Sequence, residues 1–336
     1  MKVGIVGYAN TSGLGQLIFN LKEMISEIAG QFIVSHKVKD REVNYYPAEY
    51  DYRSPYSCAF HSDDFMTWFN SFKPGVIILL ETPFNWEIIP ILKKEGCKIV
   101  FMPMLDSVPL SRITHSSLID CWIVCNQWSK DLLNNLENVF LVGAPINTKK
   151  FYYKTRGLGS GLLLHHAGYA GTRGRKGTQE ILTAFEYMKK MPEYKDVRLK
   201  LYSQTPLKID NKDIDYHIGD EPNQITMFEE GDVFLAPSKR EGVGMHILEA
   251  MASGFPVLTT NYPPMNEYVN CPRLLVNANI TINNMSIDIA ELSTKMGSAA
   301  LSSLSLIGEY NRKRIEKFWS YDAVRPVYKM ILESLV

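Results

Sequence analysis

The chain has 336 residues, enough for two separate hydrophobic cores rather than one. Lys plus Arg and Asp plus Glu each number 36, and a net charge of zero argues against a strongly basic nucleic-acid binder, although a local patch can hide in the average. No apolar run approaches the roughly 18 residues of a membrane helix. The five cysteines contain no CxxC pair, so reduced thiols and a cytoplasmic location are expected.

Lys2 to Val6 reads as a first strand, because the apolar stretch at the N-terminus is too short for a signal peptide. The glycine-rich run Gly7 to Gly15 follows. Leu17, Ile18, Leu21, Met24, Ile25 and Ile28 then fall on one helical face, with Gly30 as the stop. The glycine spacing is not GxGxxG, and no acid ends a clear second strand. A dinucleotide site, and with it a nicotinamide-dependent oxidoreductase, therefore fits poorly. Phe32 to Val34 reads as a strand. Tyr45, Tyr46, Tyr50, Tyr52 and Tyr56, among two prolines, read as irregular structure whose rings either cover a core or stack on a sugar or base.

A helix near Asp64 to Phe72 leads into Gly75 to Leu80, a continuous apolar run of the kind found in parallel strands buried on both faces. The alternation continues through helix Trp86 to Lys94, strand Lys98 to Met102, helix Ser111 to Leu118, strand Cys121 to Cys125, helix Gln127 to Leu136 and strand Val139 to Val142. This is the pattern of a doubly wound α/β domain, in which ligands bind outside the carboxyl ends of the strands. Three of those ends carry chemistry: Glu81-Thr82, Asp106 and Asn126. Cys121 and Cys125 stand about 13 Å apart at strand rise, too far for a bridge.

In the second half, strand Leu162 to His166 enters the loop Ala167 to Gly177, and Ile181, Leu182, Phe185 and Met188 mark the helix after it. Arg173, Arg175 and Lys176 place three cations in that glycine-rich loop, which suits a diphosphate. Val197 to Ser203 and Asp215 to Ile218 continue the strands. Asp213-Ile214-Asp215 is formally a DxD pattern, but its place at a strand start reads as chance.

Val233 to Ala236 is the next strand. It ends at Pro237-Ser238, a loop carries Glu241, Gly242 and Gly244, a short helix runs from Met245 to Ser253, and Pro256 to Thr260 is a further strand. Glu249 sits in an otherwise apolar helix, where a carboxylate is costly without a hydrogen-bonding partner, so a hydroxyl-rich ligand is a candidate. The two glycines disfavour helix and let a ligand approach the backbone, leaving the amides of Val243, Gly244 and Met245 as donors suited to phosphate. The competing reading makes Ser238-x-x-Glu241 a capping box and bonds Glu249 to a backbone amide of a neighbouring loop. His246 and Glu249 are spaced H-x-x-E without further ligands, so no metal site is expected. Met285 to Lys317 reads as one helix and Tyr321 to Leu335 as a last one, with Pro326 near its first turn.

Glu241-x7-Glu249, with Pro237-Ser238 before it, Ala250-Met251-Ala252-x-Gly254-x-Pro256-Val257 after it and Glu267 beyond, resembles a known donor-binding signature. It is that of the retaining GT-B glycosyltransferases related to glycogen and sucrose synthases, family four in the usual classification. The resemblance implies two Rossmann-like α/β domains with parallel sheets and an interdomain cleft. An acceptor-side domain would span 1–150, a nucleotide-sugar donor domain 151–318, and a C-terminal helix, 319–336, would cross back onto the first domain. Gly143 to Phe151 resembles the segment leading out of the first domain in that family.

The same resemblance implies a nucleotide diphosphate sugar as co-substrate, with no metal or other cofactor. Lys176-Gly177 matches the family's lysine–glycine pair, with Lys176 stabilising the departing diphosphate. Glu249 would hold the ribose hydroxyls and Glu241 those of the transferred sugar. Gly13 and Gly15 would face the transferred sugar near the acceptor. Asp106 falls in a segment where the family has a histidine-containing turn, but Pro103-Met104 stands there instead. Tyr169 occupies the place of the usual arginine, which leaves Arg173 or Arg175 to supply a guanidinium. The expected acceptor is a glycan or lipid-linked glycan. A modified DNA base, a non-catalytic nucleotide-sugar binder and a location peripheral to a membrane are the alternatives.

Overall fold

The computed structural model describes residues 1–7, 11–28, 30–37, 52–57, 62–81, 86–107, 111, 113–168, 174–219, 224–281 and 284–336. They fall into two units, one of Met1–Pro145 with Tyr321–Val336 and one of Ile146–Ser320.

The first unit begins with β1 (Lys2–Gly7), α1 (Gly13–Ile25), β2 (Gly30–Lys37), β3 (Tyr52–Ser57), α2 (Ser62–Phe72) and β4 (Val76–Leu80). It continues with α3 (Ile88–Lys94), β5 (Lys98–Met102), β6 (Cys121–Val124), α4 (Gln127–Leu132) and β7 (Val139–Leu141). All seven strands are parallel and ordered β3-β2-β1-β4-β5-β6-β7. Strand β4, Val-Ile-Ile-Leu-Leu, is buried at every position, which is why its sequence shows no polar alternation. One face of the sheet packs Ile77, Leu79, Ile99, Phe101, Trp122 and Val124 against Phe65, Trp68 and Phe69 of α2 and Ile88, Ile89 and Leu92 of α3. The tyrosine-rich stretch expected to be irregular yields β3 at the sheet edge, where Pro55 leaves no central hydrogen bond unmade; its residues 44–51 and 58–60 lie outside the described ones.

The expected helix at Ser111 to Leu118 is instead a turn followed by a single 3₁₀ turn at Ser116–Leu118. His115 before it has φ 58°, a left-handed conformation that cannot continue a helix. Ser and Thr in Thr114-His115-Ser116-Ser117 also favour turns over helix interiors.

The second unit contains β8 (Leu162–Gly168), α5 (Thr178–Met188), β9 (Arg198–Ser203), β10 (Ile214–Ile218), β11 (Val233–Ala236), α6 (Met245–Ala252), β12 (Val257–Thr260), α7 (Met265–Tyr268) and β13 (Leu275–Val276). These six strands form a parallel sheet ordered β10-β9-β8-β11-β12-β13. After them come the antiparallel pair β14 (Ala278–Thr281) and β15 (Asn284–Ile287), then α8 (Ile289–Leu301) and α9 (Ser305–Phe318). The single helix expected over Met285 to Lys317 is therefore three elements. Asp288 caps α8 by accepting from the Glu291 amide at 2.9 Å, which fixes the start of that helix after β15. The Leu304 amide leaves the helical ladder to bond Gly157 O at 2.7 Å, which separates α8 from α9.

At the start and finish of this unit the Ile146 amide bonds Trp319 O at 2.7 Å, and Ile146 bridges Ser320. The chain then returns to the first unit as α10 (Tyr321–Ser334), which packs on α1. Tyr321 Oη donates to Glu23 Oε2 at 2.8 Å, Arg325 pairs with Glu27 at 2.9 Å, and Tyr328 is fully buried against Met102. Cys97, Cys121, Cys125 and Cys271 are free thiols, three of them buried. No helix among the described residues is long and apolar enough to cross a membrane.

Candidate active site

In the second sheet the strand order reverses direction beside β8, with β9 on one side and β11 on the other. Crevices at such reversals, outside the carboxyl ends, are where open α/β sheets bind ligands. The two segments that leave β8 and β11 at that point are the glycine-rich loop ending at Gly177 and the turn from Pro237 to Gly244. Both belong to the same end of the sheet because Val233, Phe234 and Leu235 run in parallel register with Leu163, Leu164 and His165.

Several contacts hold the two loops against each other. Gly177 has φ 70°, and a Cβ placed on it would lie 2.2 Å from Pro237 O. The Lys239 amide donates to Arg175 O at 2.8 Å, and Lys239 Nζ pairs with Glu180 of α5 at 2.7 Å. Beneath them His165 Nδ1 meets Leu235 O at 2.8 Å and Nε2 meets Thr178 Oγ1 at 2.9 Å, tying both strands to the start of α5. Burial holds this ring down at about pH 4, so it stays neutral and structural. Replacing Gly177 by alanine is expected to destabilise the protein by about 1–3 kcal/mol, because the left-handed backbone and the Pro237 carbonyl both oppose a side chain. A urea titration checks this; an unchanged midpoint would show that the loops yield.

The clamp sets Lys176 against Glu241, with Nζ to Oε1 at 2.7 Å; the lysine side chain is 13% and the glutamate 4% exposed. Burial alone would raise the Glu241 carboxyl, but Lys176 above all, with Arg175 behind it, outweighs it and holds it down at about 2. Glu241 is thus an anion locked to a cation. The capping-box reading of Ser238 and Glu241 does not hold, because α6 is capped by Gly244 at φ 77° and Glu241 is engaged with Lys176. Ser238 Oγ is buried without a partner among the described residues.

All eight residues of α6 are buried. Glu249 is 6% exposed, and its Oε1 has no hydrogen-bond partner among the described residues, so the reading that bonds it to a neighbouring amide leaves this oxygen unexplained. Burial, only partly opposed by Lys150 and Lys176, pushes its carboxyl up to about 7. The amides of Val243, Gly244 and Met245 meet no protein acceptor among the described residues, and they sit at the N-terminal end of α6.

The structure thus brings Arg175, Lys176, Glu241, Gly242, Val243, Gly244, Met245 and Glu249 together on the two facing loops and α6 of the second unit. Arg173 lies outside the described residues, so Arg175 is the loop arginine placed in the field of Glu241. Gly13 and Gly15 belong to the first unit, in the first turn of α1, where Ser12 Oγ accepts from the Gly15 amide at 3.4 Å. Asp106 lies in the turn after β5 of the same unit.

Four residues of the site are not legible in the sequence. His246 was weighed there only as a metal ligand, yet its Nδ1 lies 3.3 Å from Lys176 Nζ. The Lys239–Glu180 brace joins positions 59 apart in sequence, which no local pattern reveals. Lys150 acts on Glu249 through its charge, and its Nζ donates to Gln224 at 3.3 Å.

Two parallel, doubly wound sheets, the second with loops from β8 and β11 meeting over an acidic and a basic side chain, are the arrangement of the GT-B fold. Residues 164–294, all within the second unit, match the family model described as glycosyl transferases group 1. No curated protein matches the sequence. Among solved structures, the sucrose-phosphate synthase of Thermosynechococcus elongatus is similar at a TM-score of 0.73 and 14% identity, covering 100% of this chain and 99% of that one. The lipopolysaccharide outer core galactosyltransferase WaaB, in its apo form, gives 0.64 at 14% identity and covers 100% of both chains. Anabaena HepE in complex with UDP and glucose gives 0.66 at 10% identity, covering 99% of this chain and 100% of that one.

Proposed function

We propose that the protein transfers a sugar from a nucleotide diphosphate donor, held mainly by the second unit, to a hydroxyl of a glycan or lipid-linked glycan, with retention of anomeric configuration and without a metal ion. The observation that carries this reading is the buried Lys176–Glu241 pair at 2.7 Å beside the unsatisfied carboxylate oxygen of Glu249. Buried acids of this kind are costly unless a ligand completes them, and sugar rings offer the hydroxyl donors they need.

In this reading Lys176 and Arg175 face the diphosphate, and the amides from Val243 to Met245 donate to its second phosphate. Fixed positive charge then lies where negative charge grows as the sugar departs, the task a divalent ion performs elsewhere. Glu241 accepts from hydroxyls of the transferred sugar and Glu249 from those of the ribose. Gly13 and Gly15 are assigned to binding the donor at its transferred sugar, and Asp106 to catalysis near that sugar. HepE, a similar fold, was crystallised with UDP and glucose, which supports a donor of this chemical class.

A thermal-shift screen of nucleoside mono- and diphosphates and nucleotide sugars tests the donor, since a bound ligand raises apparent stability by mass action. The diphosphates should stabilise the protein and the monophosphates should not. Glu241→Gln keeps the shape of the side chain but loses a charge-assisted hydrogen bond of about 1.5–3 kcal/mol, so transfer or donor hydrolysis should fall roughly 10- to 150-fold. Wild-type turnover in this variant would refute the assignment of Glu241 to the sugar.

A further inference from the structure

We propose that His246 is a positioning residue for Lys176: its imidazole accepts a hydrogen bond from the lysine ammonium at Nδ1 and keeps that charge aimed when a ligand engages Glu241. The inference rests on Lys176 being the cation that faces the diphosphate.

An ammonium has only donors to offer, so the 3.3 Å contact between Lys176 Nζ and His246 Nδ1 requires that nitrogen to be the acceptor. The ring proton is then on Nε2. That nitrogen is buried without a hydrogen-bond partner among the described residues, and Glu241 Oε1 lies 3.9 Å from it, beyond hydrogen-bond reach. A buried donor left unmade is costly, so the ring's placement must serve the nitrogen that is engaged or one that a ligand completes. The ring is 7% exposed, held edge-on to Phe234 with centroids 6.0 Å apart, and anchored in the first turn of α6. Burial, and then Lys176 itself, push it well below its ordinary range, so it is a neutral acceptor.

Among the partners of Lys176 are two of different kinds. Glu241 is charged and is the group a sugar hydroxyl engages. His246 is neutral, and the proposed ligand groups do not draw on its Nδ1. When hydroxyls share the Glu241 carboxylate, the imidazole still fixes the ammonium. Without it Lys176 keeps its charge but loses its direction, and because that charge is needed most as the leaving group departs, the loss falls on turnover more than on donor binding.

His246→Leu fills the space against Phe234 but offers no acceptor. Its kcat is expected to drop about 10- to 100-fold with a donor KM within about threefold of wild type. His246→Asn, whose side-chain oxygen can take the place of Nδ1, is expected to recover most of that loss. Wild-type kcat in the leucine variant, or equal losses in both variants, overturns the proposal. Nitrogen-15 spectra of the imidazoles need neither turnover nor a variant at position 246. They should show His246 unprotonated at Nδ1 and protonated at Nε2 at neutral pH, with the Nδ1 signal moving in Lys176→Met. A proton on Nδ1, or a signal indifferent to that substitution, overturns the proposal. A wild-type protein that shows this tautomer and this shift but transfers no sugar would support the hold of the ring and refute the transfer reading.

Discussion

Replacing Lys176 by methionine is expected to lower kcat for sugar transfer about a hundredfold or more and to destabilise the protein at the same time. The first effect follows, on the proposed transfer reading, from removing a fixed charge aimed at the leaving diphosphate. The second follows from Glu241, which is 4% exposed and stays ionised only because Lys176, with Arg175 behind it, outweighs the push of burial. Breaking a buried pair by deleting one partner costs about 3–5 kcal/mol, since the surviving charge is left uncompensated.

The pH dependence separates the two effects. In the wild type the Glu241 carboxyl is held at about 2 against an ordinary 4.5, so its contribution to stability is present above about pH 4.5 and is lost as pH falls towards 2. In Lys176→Met the carboxyl rises above its ordinary value, and the penalty grows with pH instead. Urea midpoints of the two proteins should therefore lie far apart at pH 8 and draw together only as pH falls towards 2. Adding Glu241→Gln to Lys176→Met should restore much of the stability and none of the turnover, a double-mutant cycle in which the pair is coupled. Parallel pH profiles for wild type and Lys176→Met would mean that the pair does not control the charge of Glu241.

How far this site could be read from the sequence depended on the distance over which each interaction acts. The run from Pro237 to Val257 carries Glu241, the Gly242 and Gly244 turn and Glu249 in one short piece, and its β-turn-α-β pattern is local. The structure places all of it where the order of residues suggested, with α6 starting at Met245. Lys176 was legible from its glycine-rich loop, but its ion pair with a residue 65 positions away was not. His246 shows the limit most clearly. In sequence it is one residue of an apolar helix, and only the fold brings its Nδ1 to 3.3 Å from Lys176 Nζ.

The fold follows the same rule. Continuous apolar runs such as Val76–Leu80 announced buried parallel strands correctly. The break between β15, α8 and α9 was hidden because it depends on the pairing of β15 with β14 and on the bond from Leu304 to Gly157. The helical reading of Ser111 to Leu118 failed for a different reason. Ile113 and Ile119 are nearly buried, so the apolar spacing is real, but the left-handed His115 between them turns the chain instead of coiling it.

Glu249→Gln is expected to make the protein more stable and worse at binding its donor. In the folded chain burial lifts the Glu249 carboxyl to about 7 from an ordinary 4.5, against the partial opposition of Lys150 and Lys176. The native state therefore holds a proton between those values that the unfolded state has released, and stability falls as pH rises through that window. The difference of about 2.5 pH units corresponds to roughly 3 kcal/mol lost by pH 8. Glutamine is neutral at every pH and has the shape of the protonated acid. The variant should match the wild type near pH 4.5 and exceed it by up to roughly 3 kcal/mol at pH 8. Binding should run the other way. Ribose hydroxyls would donate best to the ionised carboxylate, so a nucleoside diphosphate drives a proton off Glu249, and wild-type affinity should climb between pH 6 and pH 8. Glutamine cannot offer that charge, which lowers affinity roughly 10- to 150-fold at pH 8 and flattens the climb. Calorimetric titrations of a nucleoside diphosphate in buffers of different ionisation enthalpy would register the released proton in the wild type alone. If both proteins show the same slope of affinity with pH, the carboxylate with the unpaired oxygen is not where the nucleotide sits. If melting shows no difference between them at pH 8, the orphaned Glu249 has a partner that spares it the cost of burial.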